Sequence, residues 1–135
     1  MLSNETKRKQ GIFFEGQIFD SHIFISDLIK SATKEIILID KYIDENTLIL
    51  FSKRQKGVKV IIYTKIDKTL KLDLDKYNSQ FEKIEIKEFN LSHDRFLIID
   101  KTEVYHIGAS LKDLGKKWFA FSKLEKENLN ILERI

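Results

Sequence analysis

The sequence has no cysteine, which excludes a disulfide framework, a thiolate nucleophile and any cysteine-ligated zinc or iron–sulfur site. It has no proline, and its five glycines, at 11, 16, 57, 108 and 115, never approach GxGxxG or GxxxxGK spacing. A dinucleotide-binding turn and a P-loop are therefore excluded. Long apolar runs are also missing. The longest strictly aliphatic ones, such as Ile36-Ile37-Leu38-Ile39, have four residues, far short of a membrane span. The opening MLSNETKRKQ has no apolar h-region to direct secretion, so the expected setting is the cytosol. Surplus charge is small: 24 Lys and Arg against 21 Asp and Glu leave +3. That balance does not by itself establish nucleic-acid binding; it permits a local phosphate-facing patch.

What remains is a globular composition, 42% hydrophobic and 33% charged in 135 residues, enough for one domain with a core. Residues 1–10, with Lys7-Arg8-Lys9, read as a polar lead-in or linker, and residues 11–135 as the folded domain. Asp20 or Ser21 can cap a helix through Phe24, Ile25, Leu28, Ile29 and Ala32. Residues 35–40 form a short apolar run of buried-strand type, and a second helix is expected from Asp44 to Lys56, stopped by Gly57. Residues 58–63 are β-branched and strand-like, Asp67 can cap a third helix, and residues 84–89 alternate as a half-exposed strand. Strands at 95–100 and 103–107 flank a tight turn at Lys101-Thr102. A polar loop over 108–117, a last strand over 118–121 and a closing helix over 123–133 follow. The expected fold is α/β, a mixed, mostly parallel sheet flanked by helices on both faces. Lys53, Arg54 and Lys56 read as an exposed helix end favoured by the dipole.

Only three histidines exist, so each can be weighed. His22 lacks a partner at ligand spacing and reads as an exposed helix-start residue. His106, between Tyr105 and Ile107, reads as a half-buried strand residue. His93 differs, because it opens H-x-R-x4-D-x7-G-x-S through Arg95, Asp100, Gly108 and Ser110. Side chains two apart on a strand share a face, so His93 and Arg95 are expected to project together. An imidazole beside a guanidinium suits a phosphoryl centre: one attacks or moves a proton, the other neutralises oxygens. Asp100 has the wrong parity for that face and is expected to anchor the following turn or to orient another histidine. Ser110 offers a hydroxyl to phosphate. Lys112, Lys116 and Lys117 beside Trp118 and Phe119 make a candidate backbone groove, although for the two aromatics a place in the core is favoured.

His93-x-Arg95-x4-Asp100 with Gly108-x-Ser110 resembles the HKD motif of the phospholipase D superfamily, H-x-K-x4-D followed by G-S-x-N. Residues 34–65, KEIILIDKYIDENTLILFSKRQKGVKVIIYTK, resemble that superfamily's strand–helix–strand lead-in. SHDRFLIIDKTEVYHIGASLKDLGKKWFAFSK resembles the tail of bacterial and prophage proteins in which such a domain follows an antirepressor-like DNA-binding domain. The resemblance implies a metal-independent phosphodiesterase acting through a phosphohistidine, with no cofactor. A nuclease is expected rather than a lipase, and no membrane partner, because nothing in the sequence is membrane-seeking and the implied neighbouring domain binds DNA. The resemblance also implies a homodimer that joins two His93 side chains, nucleic acid, DNA above all, as substrate, and a further N-terminal DNA-binding domain. It makes His93, Arg95 and Asp100 the catalytic candidates, and Arg95, Ser110, Lys112 and Lys116 the phosphate contacts. Two positions depart from the pattern: arginine replaces lysine at 95 and lysine replaces asparagine at 112. The alternative is the same fold kept as a nucleic-acid-binding and dimerisation module with weak or lost catalysis.

Overall fold

The computed structural model describes residues 9–135, so most of the polar lead-in, residues 1–8, lies outside the described residues. The chain runs β1 (Gln10–Phe13), α1 (Ile18–Ser31), β2 (Glu35–Ile39), α2 (Glu45–Phe51), β3 (Lys59–Thr64), α3 (Lys68–Gln80) and β4 (Ile84–Glu88). It continues through β5 (Arg95–Ile99), β6 (Glu103–Ile107), a 3-10 turn (Leu111–Asp113), β7 (Phe119–Leu124) and a 3-10 segment (Lys126–Arg134). Two of the three expected helix caps are found. The first is not, because α1 begins at Ile18 with Gln17 at its N-cap position and no side-chain cap, which puts Asp20 and Ser21 inside the helix. Asp44 caps α2 in a capping box with Thr47, and Asp67 accepts from Leu70 N–H at the start of α3. α2 ends at Phe51, earlier than expected, and Gly57 with φ +84 turns the chain into β3.

The seven strands of the described residues form one sheet in the order β1-β7-β6-β5-β2-β3-β4. The expected α/β class and mixed sheet are present, but not the parallel majority. Of six pairings, only β2–β3 and β3–β4 are parallel. Parallel neighbours need a crossover, and α2 and α3 supply two. After β4 the connections contain no α-helix, so the remaining strands return antiparallel. β1, which the sequence reading does not foresee, pairs with β7 from Gln10↔Ser122 to Phe13↔Phe119.

Coverage of the two faces is unequal. Phe24, Ile25, Leu28 and Ile29 of α1, Leu48 and Phe51 of α2, and Leu70 and Tyr77 of α3 all join one core. That core takes Ile36, Leu38, Val60, Ile62, Leu97, Ile99, Tyr105, Ile107 and Phe121 from the sheet. On the other face Ile37, Ile98 and Val104 pack against Leu129, Ile131, Leu132 and Ile135 of the C-terminal segment. The expected closing α-helix is thus 3-10, and its three-residue period lines up Leu129, Leu132 and Ile135. Arg54 is another correction: its guanidinium is buried, donating to the carbonyls of Phe51, Val58 and Glu82 and to Tyr77 Oη. It ties α2 to the α3–β4 connection. Among the described residues, no helix is long and apolar enough to cross a membrane.

Candidate active site

Because β5 runs antiparallel to β2, its first residue lies beside the last residues of β2: Phe96 is paired with Ile39. The chain therefore brings Asp40, His93–Arg95 and the loop after β6 to one end of the sheet. This is the C-terminal end of β2 and β3, where the parallel and antiparallel halves meet, a common location for binding sites in open α/β sheets.

Asp40 is fully buried there. Its carboxylate accepts from Ser110 Oγ at 3.0 Å to each oxygen, from Leu111 N–H at 2.9 Å and from Tyr42 N–H at 3.3 Å. Arg95 Nε stands 3.9 Å from Asp40 Oδ1. Burial pushes the Asp40 carboxyl up to about 6, while the bonds from Leu111, Ser110 and Tyr42 and the charge of Arg95 pull the other way. Sequence reading treats Asp40 only as the polar boundary of a strand. The available signal is an acidic residue directly after a run of buried aliphatics.

Arg95, Gly108, Ala109, Ser110, Asp113, Lys116, Lys117 and Trp118 line a cleft of about 400 Å³. Gly108 is required by a close approach: a Cβ there would lie 2.8 Å from Ala120 O, which accepts the Gly108 N–H. Ser110 is buried, and its oxygen is 2.7 Å from the Tyr42 carbonyl as well as 3.0 Å from Asp40. A hydroxyl has one proton, so Ser110 donates inward and its expected donation to phosphate is replaced by fastening the loop. Lys112 Nζ lies 3.1 Å from Asp113 Oδ2 and Lys116 Nζ 3.3 Å from Asp113 Oδ1. Burial would raise the Asp113 carboxyl, but the bonds and charges of these two lysines hold it below its usual range. Trp118 is exposed rather than core, donating its indole N–H to Glu15 and meeting Phe14 edge-on, whereas Phe119 is buried.

His93 is exposed at the same end, but it lies in a bend before β5 begins at Arg95. The strand spacing expected to project the two side chains together therefore does not reach it, and it is not among the residues lining the Arg95 cleft. The structure does not bring Asp100 to it. Asp100 lies at the far end of β5 and accepts from the N–H groups of Thr33, Lys34 and Glu35 at 3.0, 2.7 and 3.0 Å and from Thr33 Oγ1 at 3.1 Å. With φ of +53 and +56, Asp100 and Lys101 form the hairpin turn, and Thr102 N–H closes it on Ile99 O. Of the two sequence expectations for Asp100, anchoring is the one its geometry serves. His106 occupies the other face of the sheet, opposite Phe96, with Nε2 3.4 Å from Asp94 Oδ1. His22 lies on α1, where burial and the charge of Lys53 lower its affinity for a proton. Among the described residues, no group of three or more His, Asp or Glu side chains is placed to hold a metal ion.

No family model and no curated protein matches the sequence. Solved structures do. NucT from Helicobacter pylori superposes with a TM-score of 0.65 at 12% identity, over 93% of this chain and 91% of that one. Nuc from Salmonella typhimurium, a phospholipase D family member, gives 0.64 at 11% identity, over 93% and 89%. TrmBL2, an archaeal chromatin protein with a novel mode of DNA binding, gives 0.58 at 18% identity, over 95% of this chain and 51% of that one. With the sheet order and the site geometry above, these likenesses make the fold of this chain phospholipase D-like.

Proposed function

We propose that the protein is a phosphodiesterase acting on nucleic acid without a metal ion, working as a homodimer. The observation that carries this reading is the end of the sheet at which exposed His93 precedes Arg95, which lines a cleft together with Lys116 and Lys117. His93 attacks phosphorus through a ring nitrogen, forming a P–N bond as the P–O bond to the leaving group breaks. The leaving oxygen takes a proton from His93 of the partner subunit, which acts as general acid. Water then attacks the phosphohistidine, its proton passes to the partner's His93, and both rings return to their starting states. Arg95 neutralises the non-bridging oxygens throughout. Asp40 contacts no substrate; it holds Arg95 and the Ser110 loop in position. The N-terminal DNA-binding domain and the cytosolic setting belong to the same proposal.

The test is cleavage of DNA and of bis-p-nitrophenyl phosphate in EDTA, with His93→Ala as control and sedimentation velocity for the dimer. Turnover that persists in EDTA and vanishes in His93→Ala supports the enzyme. Tight DNA binding by the wild type with no turnover supports the second reading, a binding module. That reading draws on Lys112, which replaces the motif's asparagine and rests on Asp113, and on the likeness to TrmBL2.

A further inference from the structure

A second cleft, of about 430 Å³, opens at the same end of the sheet, lined by Lys41, Lys65, Glu88, Phe89, Asn90 and Leu91. Its walls follow β2, β3 and β4, and Leu91 is two residues from His93. It therefore flanks the histidine on the parallel side of the sheet as the Arg95 cleft does on the antiparallel side.

The two clefts differ in how their cations are used. Of the cations lining the Arg95 cleft, Arg95 faces Asp40 and Lys116 rests on Asp113, and Lys117 alone has no carboxylate within ion-pair distance among the described residues. Among the described residues, neither Lys41 nor Lys65 is within ion-pair distance of a carboxylate. The single carboxylate of the second cleft, Glu88, accepts from Ile66 N–H at 3.1 Å. The backbone under the lysines is tied: Lys65 N–H and Thr64 Oγ1 both donate to Lys41 O, and Phe89 N–H to Thr64 O. Two ammonium groups without a carboxylate partner thus stand just past the ends of β2 and β3, on backbone held by these hydrogen bonds. Beside them Tyr42 is 49% exposed; Lys41 Nζ lies over one face of its ring, 5.5 Å from the centroid, and the exposed remainder of the ring is the surface offered to a base.

We propose that Lys41 and Lys65 form a second phosphate-binding subsite that carries a single nucleic-acid strand away from His93, with Tyr42 as its stacking face. The subsite rests on the nucleic-acid reading above and adds the direction in which the strand leaves the reacting phosphate. Lysine suits this use, because a flexible point charge holds a backbone phosphate without demanding one geometry.

The test is fluorescence anisotropy of a labelled oligothymidylate on His93→Ala protein, titrated across salt. Removing one lysine that pairs with a phosphate of a single strand lowers the slope of log K against log salt by about 0.7, so Lys41→Ala/Lys65→Ala reduces it by about 1.4. Lys53→Ala/Lys56→Ala removes the same charge beyond α2, at the other end of the sheet, and keeps the slope. Lys41→Arg/Lys65→Arg restores it, and thermal melts of the variants coincide. Equal slopes for the two alanine pairs overturn the subsite and leave the nucleic-acid reading standing. A blunt duplex bound as tightly and with the same slope overturns the single-strand assignment. Failure of the parent protein to bind the oligonucleotide at low salt overturns both readings.

Discussion

At the two ends of β5 the chain uses an aspartate in opposite ways. Asp100 takes three backbone N–H groups and a hydroxyl in the turn that starts β2. Burial alone would raise its carboxyl, but the bonds from Glu35, Thr33 and Lys34 hold it below the usual range. Asp40 also has donors, yet burial outweighs them and pushes it up to about 6. One carboxylate is comfortable as an anion and fastens the fold. The other is kept as an anion near neutrality against its solvation, beside Arg95. The closed end therefore fixes the sheet, and the open end holds charge in readiness.

The strongest way to break this contrast is to remove one group from each end and read rate and stability separately. His93→Ala is expected to lower phosphodiester cleavage on the order of 10³-fold or more, while stability to urea changes by less than about 0.5 kcal/mol, because the side chain is exposed. A large drop in the stability of His93→Ala would erase the division between the ends.

The next effect is in pH. Asp40 binds a proton more readily folded than unfolded, so its contribution to stability is full below its unfolded value of 3.8 and is lost as pH rises through about 6. The loss amounts to roughly 3 kcal/mol. Asp100 has the opposite sign: its contribution is present above 3.8 and is lost as pH falls through its lowered folded value. Urea unfolding from pH 4 to 7 is expected to show wild type gaining relative to Asp40→Asn as pH falls. A constant difference between the two would remove Asp40 from its strained role.

Asp100→Ala is expected to cost about 2–3 kcal/mol, since it frees several N–H donors that share a charged acceptor. Cleavage per folded molecule is expected to stay within a few-fold of wild type. A fall in rate as deep as that of His93→Ala at unchanged stability would return Asp100 to the reacting centre.

Much of this fold is legible in local signals. Caps at Asp44 and Asp67, the turn at Gly57 and the aliphatic runs of β2, β3 and β5 each state their own element. β1 is not legible, because four residues with one buried side chain acquire strand character only from pairing with β7. The same holds for the site. His93, Arg95 and Gly108-x-Ser110 are spaced along the sequence, so pattern reading finds them. Asp40 lies 55 positions before Arg95, and only the antiparallel β2–β5 register brings them together. The inward turn of the Ser110 hydroxyl and the capture of Lys112 and Lys116 by Asp113 are likewise contacts that no spacing encodes.

The smallest expected effect is that of Arg95→Lys. Lysine keeps the charge but not the Nε that stands 3.9 Å from Asp40 Oδ1, so the ammonium can turn wholly toward the cleft. Arg95 is the least of the influences holding the Asp40 carboxyl down, so the carboxyl is expected to rise only slightly above about 6. Cleavage of bis-p-nitrophenyl phosphate is expected to change less than about tenfold, below the loss typical for removing a transition-state donor. The sign carries the information. A gain means that sharing the guanidinium with Asp40 restrains the wild-type site. A loss means that the fork, held by Asp40, orients the phosphate. An acid limb in the rate profile that moves up in pH in Arg95→Lys would show that Asp40 and Arg95 act as one unit. A limb that stays fixed would confine Asp40 to holding the Ser110 loop.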